Sequence, residues 1–251
     1  MSTVNKEYYI EKDGIFGRVF DIYNKNYYME NEKLFEHKKL FIPENSVSCL
    51  VGCNGIGKST LIHQMINDHE NSLNKTAWDL HDSHSISFRG LFDGVKRDDF
   101  DEFYLAGDKN TSFGYSDNDF MMNDLIKSCQ STGESNMSTM GPIFNILGKE
   151  TNLLKGKRLF VFLDDLDVGV SVDSLVEIVQ AIKTMEKVMT ERGIKFYIIL
   201  TANSFELARY FHCIDTVSFK PVKFKTYDSY VKYVCKSRKY KDDRNKKENN
   251  A

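Results

Sequence analysis

No apolar run in the chain approaches the ~18 to 20 residues that a membrane helix needs, and Met1 to Asp13 is polar, without the apolar centre of a secretory leader. The expectation is therefore a cytoplasmic protein with no membrane insertion. Cysteine gives no framework either. Cys49, Cys53, Cys129, Cys213 and Cys235 are scattered, odd in number and form no C-x-x-C pair, which argues against a disulfide scaffold or a zinc ribbon and for reduced thiols. There is no internal repeat and no heptad run, and no obvious N-K-x-D base-recognition motif of a GTPase. What remains is an ordinary composition, 41% hydrophobic and 28% charged over 251 residues, enough for one sizeable α/β domain with its own core.

The net charge of -2 is unevenly spread: Lys220 to Ala251 holds eleven Lys/Arg against four Asp/Glu, a local +7 that leaves the rest at -9. The final stretch, KYKDDRNKKENN, has almost nothing apolar to bury, so 240–251 reads as a basic disordered tail behind a single domain at 1–239. The same region interleaves aromatics with cations in TYDSYVKYVCKSRKY. It reads either as a solvated face or as a weak contact for nucleic acid or an acidic partner.

Strand patterns appear in GRVFDIYNKNYYM and SVSCLVG, and continuous apolar runs suited to strands covered on both faces in RLFVFL and KFYIILT. Between the last two, VDSLVEIVQAIKTMEKVMTERG spaces its apolar residues as an amphipathic helix, with Asp173 as expected N-cap and Gly193 as stop. Strand, helix and strand in this order imply a parallel sheet. The region 67–148 is expected to be a small helical or irregular insertion, with a short strand at Ser85 to Phe88 and a helix in DNDFMMNDLIKSCQ. His81 and His84, with Asp79 and Asp82, lack a third anchored ligand and make a weak metal site.

Chemistry enters at Gly52-Cys53-Asn54-Gly55-Ile56-Gly57-Lys58-Ser59, followed by Thr60, which fits G-x-x-x-x-G-K-[ST] between a strand and a helix. Such a loop curls so that its N–H groups face a phosphate, while the helix N-terminus adds partial positive charge. Lys58 is suited to the β and γ oxygens of a nucleotide and Ser59 to Mg²⁺. Downstream, RLFVFLDDLDVG ends an apolar strand in acids. Asp164 is the expected partner of Ser59 in holding Mg²⁺, and Asp165 stands where a general base or water-positioning group belongs. Asp167 is a third acid. Cys53 reads as a small filler or as a thiol whose oxidation would obstruct phosphate binding.

VGCNGIGKSTL resembles the loop of the ABC ATPase superfamily, and other segments extend the likeness in the right order. QSTGES, Gln130 to Ser135, resembles the family signature in its SMC/RecF form; FVFLDDLDVGVSVDS resembles the acidic strand end and the loop after it; YIILTANSFELA resembles the switch segment. Small stand-alone phage or prokaryotic ATP-binding proteins of this group are the nearest look-alikes. The resemblance implies an ABC-type P-loop NTPase: a mainly parallel sheet flanked by helices, with an N-terminal antiparallel β element. It implies a head-to-tail homodimer sandwiching ATP, with Ser131 and Gly133 touching the partner's nucleotide; without a partner, QSTGES reads as a flexible loop.

Asp165 stands where the family usually has glutamate, Asn203 where it usually has histidine, and no glutamine lies between Gln64 and Gln130. These departures favour a slow ATPase acting as a dimerisation switch, in DNA transactions, phage biology or defence, with DNA or a protein as effector. The alternative is the motor subunit of a membrane transporter. Tyr27 and Tyr28 read as adenine-stacking residues or as strand aromatics.

Overall fold

The computed structural model describes residues 9–22, 38–62, 64–65, 102–107 and 158–249, of which 102–107 and 247–249 are described by backbone alone. The described chain is α/β, built on two sheets. Strands β1 (Tyr9–Lys12), β2 (Ile15–Ile22) and β3 (Lys38–Pro43) form an antiparallel sheet in the order β1-β2-β3. The larger sheet contains β4 (Ser46–Val51), β5 (Glu102–Gly107), β6 (Arg158–Leu163), β7 (Lys195–Ala202), β8 (His212–Asp215) and β9 (Pro221–Val222), in the order β5-β6-β7-β4-β8-β9. Its first five strands in that order are mutually parallel, and only β9 pairs antiparallel, with β8.

The apolar runs behave as strands buried on both faces should. Val47, Cys49 and Val51 of β4, with Leu159, Val161 and Leu163 of β6, point to one face. Leu50, Phe160 and Phe162 point to the other. The first face is covered by helix α2 (Val172–Glu191), through Leu175, Ile178, Val179, Ile182, Met185 and Met189, and by the short α3 (Phe205–Ala208). The second face is covered by the antiparallel sheet, through Phe20, Ile22, Leu40 and Ile42, and by helical residues 58–62 and 64–65 (α1), through Leu61, Ile62 and Met65.

Three expectations need correction. The N-cap position of α2 is held by Ser171, without a side-chain capping bond, and not by Asp173; Asp173 lies in the first turn, where the Ser171 hydroxyl holds its carboxyl below the usual range. Gly193, at φ +66, does end the helix: the Ile194 N–H reaches the Met189 carbonyl at 3.0 Å, the closure expected after a left-handed residue. Within the expected insertion, Glu102–Gly107 is instead the edge strand of the parallel sheet, paired with β6 from Glu102↔Arg158 to Gly107↔Leu163. Third, residues 240–249 complete helix α4 (Tyr227–Asn249) in place of an irregular tail. Its inward stripe of Tyr230, Tyr233, Val234, Ser237 and Lys241 packs on the body while the rest of the helix is largely exposed. Charge alone concealed this because the stripe uses hydroxyls and a lysine where an amphipathic helix would use apolar groups. Ser85 to Phe88, the helix expected in DNDFMMNDLIKSCQ, and the Asp79, His81, Asp82 and His84 group lie outside the described residues.

Candidate functional site

Parallel strands carry their carboxyl ends to one edge of the sheet, and a crevice opens where neighbouring strands send their helices to opposite faces. Here those neighbours are β4 and β7: α1 follows β4 on one face and α3 follows β7 on the other. The glycine loop leaves β4 at this point. β7 also separates β4 from β6, so the acids that end β6 reach the loop across the end of β7, which carries Asn203.

Within the loop, two glycines are required by the backbone. Gly55 sits at φ +71 and Gly57 at φ +108, values that side-chain-bearing residues adopt at a cost. Lys58 is buried at the start of α1, and its Nζ donates to the carbonyls of Gly52 at 3.0 Å and Cys53 at 3.3 Å. An ammonium has three donors, so one remains for an anionic oxygen. Burial pushes the Lys58 ammonium below its ordinary value, opposed by Asp167, Cys53, Asp165 and Asp164. Ser59 and Thr60 are half-buried in the first turn of α1. The Cys53 side chain is enclosed, at 1% exposure, which suits the small-filler reading over an oxidisable thiol.

The acids after β6 have three different fates. Asp164, buried, accepts from the Thr201 hydroxyl at 2.6 Å, and that hydroxyl accepts from the Asp165 N–H at 2.9 Å. Thr201 of β7 thus ties the two aspartates together across the strand pair. Asp165 is half-buried and adopts φ +53, a left-handed conformation that aspartate tolerates better than most residues and that concentrates at functional sites. Its Oδ1 accepts from Asn203 Nδ2 at 3.2 Å. Asp167 is buried and accepts from Asn203 N, Ser204 N and Ser204 Oγ, each at 2.7 Å, and from Asn203 Nδ2 at 3.1 Å. Asp167 therefore fixes the end of β7 and aims the Asn203 amide at Asp165.

The loop and Lys58, Asp164, Asp165 and Asn203 come together at one sheet edge. Ser131, Gly133, Tyr27 and Tyr28 lie outside the described residues. Sequence reasoning missed the roles of Thr201 and Asp167, and missed that α4 reaches the loop. The available signals were the third acid in LDDLD and the four-residue spacing of Tyr233, Ser237 and Lys241.

Among the described residues, no cluster of three or more His, Cys, Asp or Glu suits a metal ion. Ser59 offers a hydroxyl and Asp164 a carboxylate, the oxygen donors that suit Mg²⁺, which relies on few protein ligands and completes its shell with water and phosphate. No helix among the described residues is long and apolar enough to cross a membrane. No family model matches the chain, and no curated protein is detectably similar to it.

Proposed function

We propose that the chain is an ABC-type P-loop ATPase that binds ATP with Mg²⁺ at the β4/β7 crevice, hydrolyses it slowly and uses the bound state as a dimerisation switch. The observation that carries this reading is the convergence of the buried Lys58 with Asp164, Asp165 and Asn203 at the carboxyl ends of three parallel strands. A loop of this pattern is built to wrap phosphates. The N–H groups of the loop through Thr60 and the third donor of Lys58 would hold the phosphate chain. Mg²⁺, held by Ser59 and Asp164, would neutralise charge on the phosphate oxygens.

Asp165 is the residue proposed to orient water. Asn203 donates to it, steadying the carboxylate without being able to titrate near neutral pH as a histidine would. An aspartate reaches one methylene less far than a glutamate, so turnover should stay below the roughly 10 s⁻¹ typical of enzymes. Ser131 and Gly133 would complete the site from a second copy, head to tail. The exposed Lys232, Lys236, Arg238 and Lys239 of α4 would suit a nucleic acid or an acidic protein as effector, in a cytoplasmic setting of DNA transactions, phage biology or defence.

Light scattering on the wild type and Asp165→Asn, each with and without ATP and Mg²⁺, tests the switch. The expected result is a mass shift from monomer to dimer on adding ATP, more persistent in Asp165→Asn. If ATP changes neither mass, and gel filtration without nucleotide gives a monomer, the switch is refuted.

A further inference from the structure

Helix α4 runs along the glycine loop and touches it at every fourth residue. The Tyr233 hydroxyl lies 2.9 Å from the Val51 carbonyl and 2.6 Å from Asp215 Oδ1. Ser237 Oγ accepts from the Cys53 N–H at 3.1 Å, and Lys241 Nζ donates to the Asn54 carbonyl at 3.1 Å. Residues four apart share a helix face, so one stripe meets the end of β4 and then two loop positions in succession. Lys241 also comes so close to Gly55 that a Cβ there would lie 2.6 Å from its Nζ. The loop glycine thus makes room for the helix as well as for its own backbone.

The peptide plane gives these contacts a consequence. In a trans peptide the C=O and N–H point in opposite directions. With the Cys53 N–H directed at Ser237, the Gly52 carbonyl of the same peptide points the other way, and it is the acceptor for Lys58 Nζ. With the Asn54 carbonyl directed at Lys241, the Gly55 N–H is turned away from α4. Two contacts on the outer side of the loop thereby set the direction of one N–H donor and of the carbonyl that anchors Lys58.

We infer that Ser237 and Lys241, with Tyr233 at the root of the loop, are positioning residues through which α4 holds the loop ready to receive phosphate. This rests on the ATP reading above for the identity of the ligand. The brace stands outside the loop, so it acts on any nucleotide phosphate chain and does not distinguish ATP from ADP. A segment whose composition suggests a solvated tail is here the outer wall of the binding loop.

The test combines amide hydrogen exchange of the full chain without nucleotide with calorimetric titration of Mg²⁺-ATP and Mg²⁺-ADP, on the wild type, Ser237→Ala, Lys241→Met and Lys241→Arg. Removing either contact should accelerate exchange across 52–57 roughly tenfold and weaken ATP and ADP alike by roughly tenfold, the scale of one hydrogen bond to a charged or buried partner. Lys241→Arg should stay near wild type in both, with all melting temperatures close together. Unchanged loop exchange overturns the inference, as does faster exchange with unchanged affinities. Loss of ATP affinity alone would make Lys241 a contact to the terminal phosphate and overturn the brace. Losses that track a lower melting temperature and are not restored by arginine would reduce it to general packing. Wild-type protein that binds neither nucleotide overturns the ATP reading and the positioning role with it, whereas binding with indifferent variants overturns the brace alone.

Discussion

The two ends of the parallel sheet put similar residue types to different uses. At the amino end, Glu44 receives Arg158 Nε at 3.3 Å, the Tyr197 hydroxyl at 3.2 Å and Lys195 Nζ at 3.9 Å, and the Arg158 guanidinium lies over the Tyr9 ring at 4.3 Å. One carboxylate there meets two cations and a phenol. At the carboxyl end, Asp164, Asp165 and Asp167 lie near the buried ammonium of Lys58, which donates to two carbonyls. Thr201 joins the Asp164 carboxylate to the Asp165 N–H, and Asn203 Nδ2 joins the Asp165 and Asp167 carboxylates. A carboxylate closed on its own cations serves the fold, whereas three acids gathered near a buried ammonium are what the proposed function would use for Mg²⁺ and phosphate.

Substitutions at Asp165 and at Glu44 should therefore separate activity from stability. The largest effect is expected at Asp165: Asp165→Asn should lower ATP turnover 10²- to 10⁴-fold, the usual contribution of a positioned acid or base, with nucleotide affinity within about threefold, read by phosphate release and titration. Asp167→Ala should cost about 3 kcal/mol in denaturant unfolding, because it strips the acceptor from two backbone N–H groups and two side chains. At the opposite end, Glu44→Ala should cost about 2 kcal/mol by leaving Arg158 uncompensated, with nucleotide affinity unchanged. A fall in affinity in Glu44→Ala would erase the distinction between the ends.

The smallest effect is a pH dependence. Burial raises the phenols of Tyr197, Tyr230 and Tyr233, helped by Glu44, Asp167 and Asp215 respectively. Their contribution to stability is complete below the ordinary phenol value of about 10 and is lost above it, where the unfolded chain releases protons that the folded chain retains. Lys58, lowered by burial, acts in the other direction: the unfolded chain holds its proton longer, so stability rises with pH from its folded value up to about 10.4. Unfolding titrations in Tyr233→Phe should show a shallower alkaline decline than in wild type.

Much of this was legible because it is local. The runs SVSCLVG and RLFVFL contain the observed β4 and β6, and KFYIILT covers all of β7 but its last residue, since a strand buried on both faces must be continuously apolar. Gly193 marked the end of α2 because a left-handed position favours glycine. What escaped depends on contacts distant in sequence. EFYLAG is a strand through its pairing with β6 some 56 residues later. Ser237 and Lys241 reach the loop from 184 and 187 residues away. Nothing in a lysine-rich C-terminal sequence distinguishes a solvated face from one that hydrogen-bonds a backbone. The buried Arg18, packed among Tyr9, Phe20 and Phe160, was equally hidden, because a lone arginine in a strand ordinarily faces water.

The central claim is that the carboxyl end of the sheet is a phosphate site organised around Lys58. Calorimetric titration of the full chain with Mg²⁺-ATP, wild type beside Lys58→Met, tests it most directly. Methionine keeps the length and apolar stem but removes the charge, so the fold should persist with an equal or higher melting temperature, the desolvated ammonium being gone. The account predicts saturable binding by the wild type and an affinity loss of about a hundredfold in Lys58→Met, the scale of one to two charge-assisted hydrogen bonds. No binding by the wild type, or equal binding by both proteins, would contradict it.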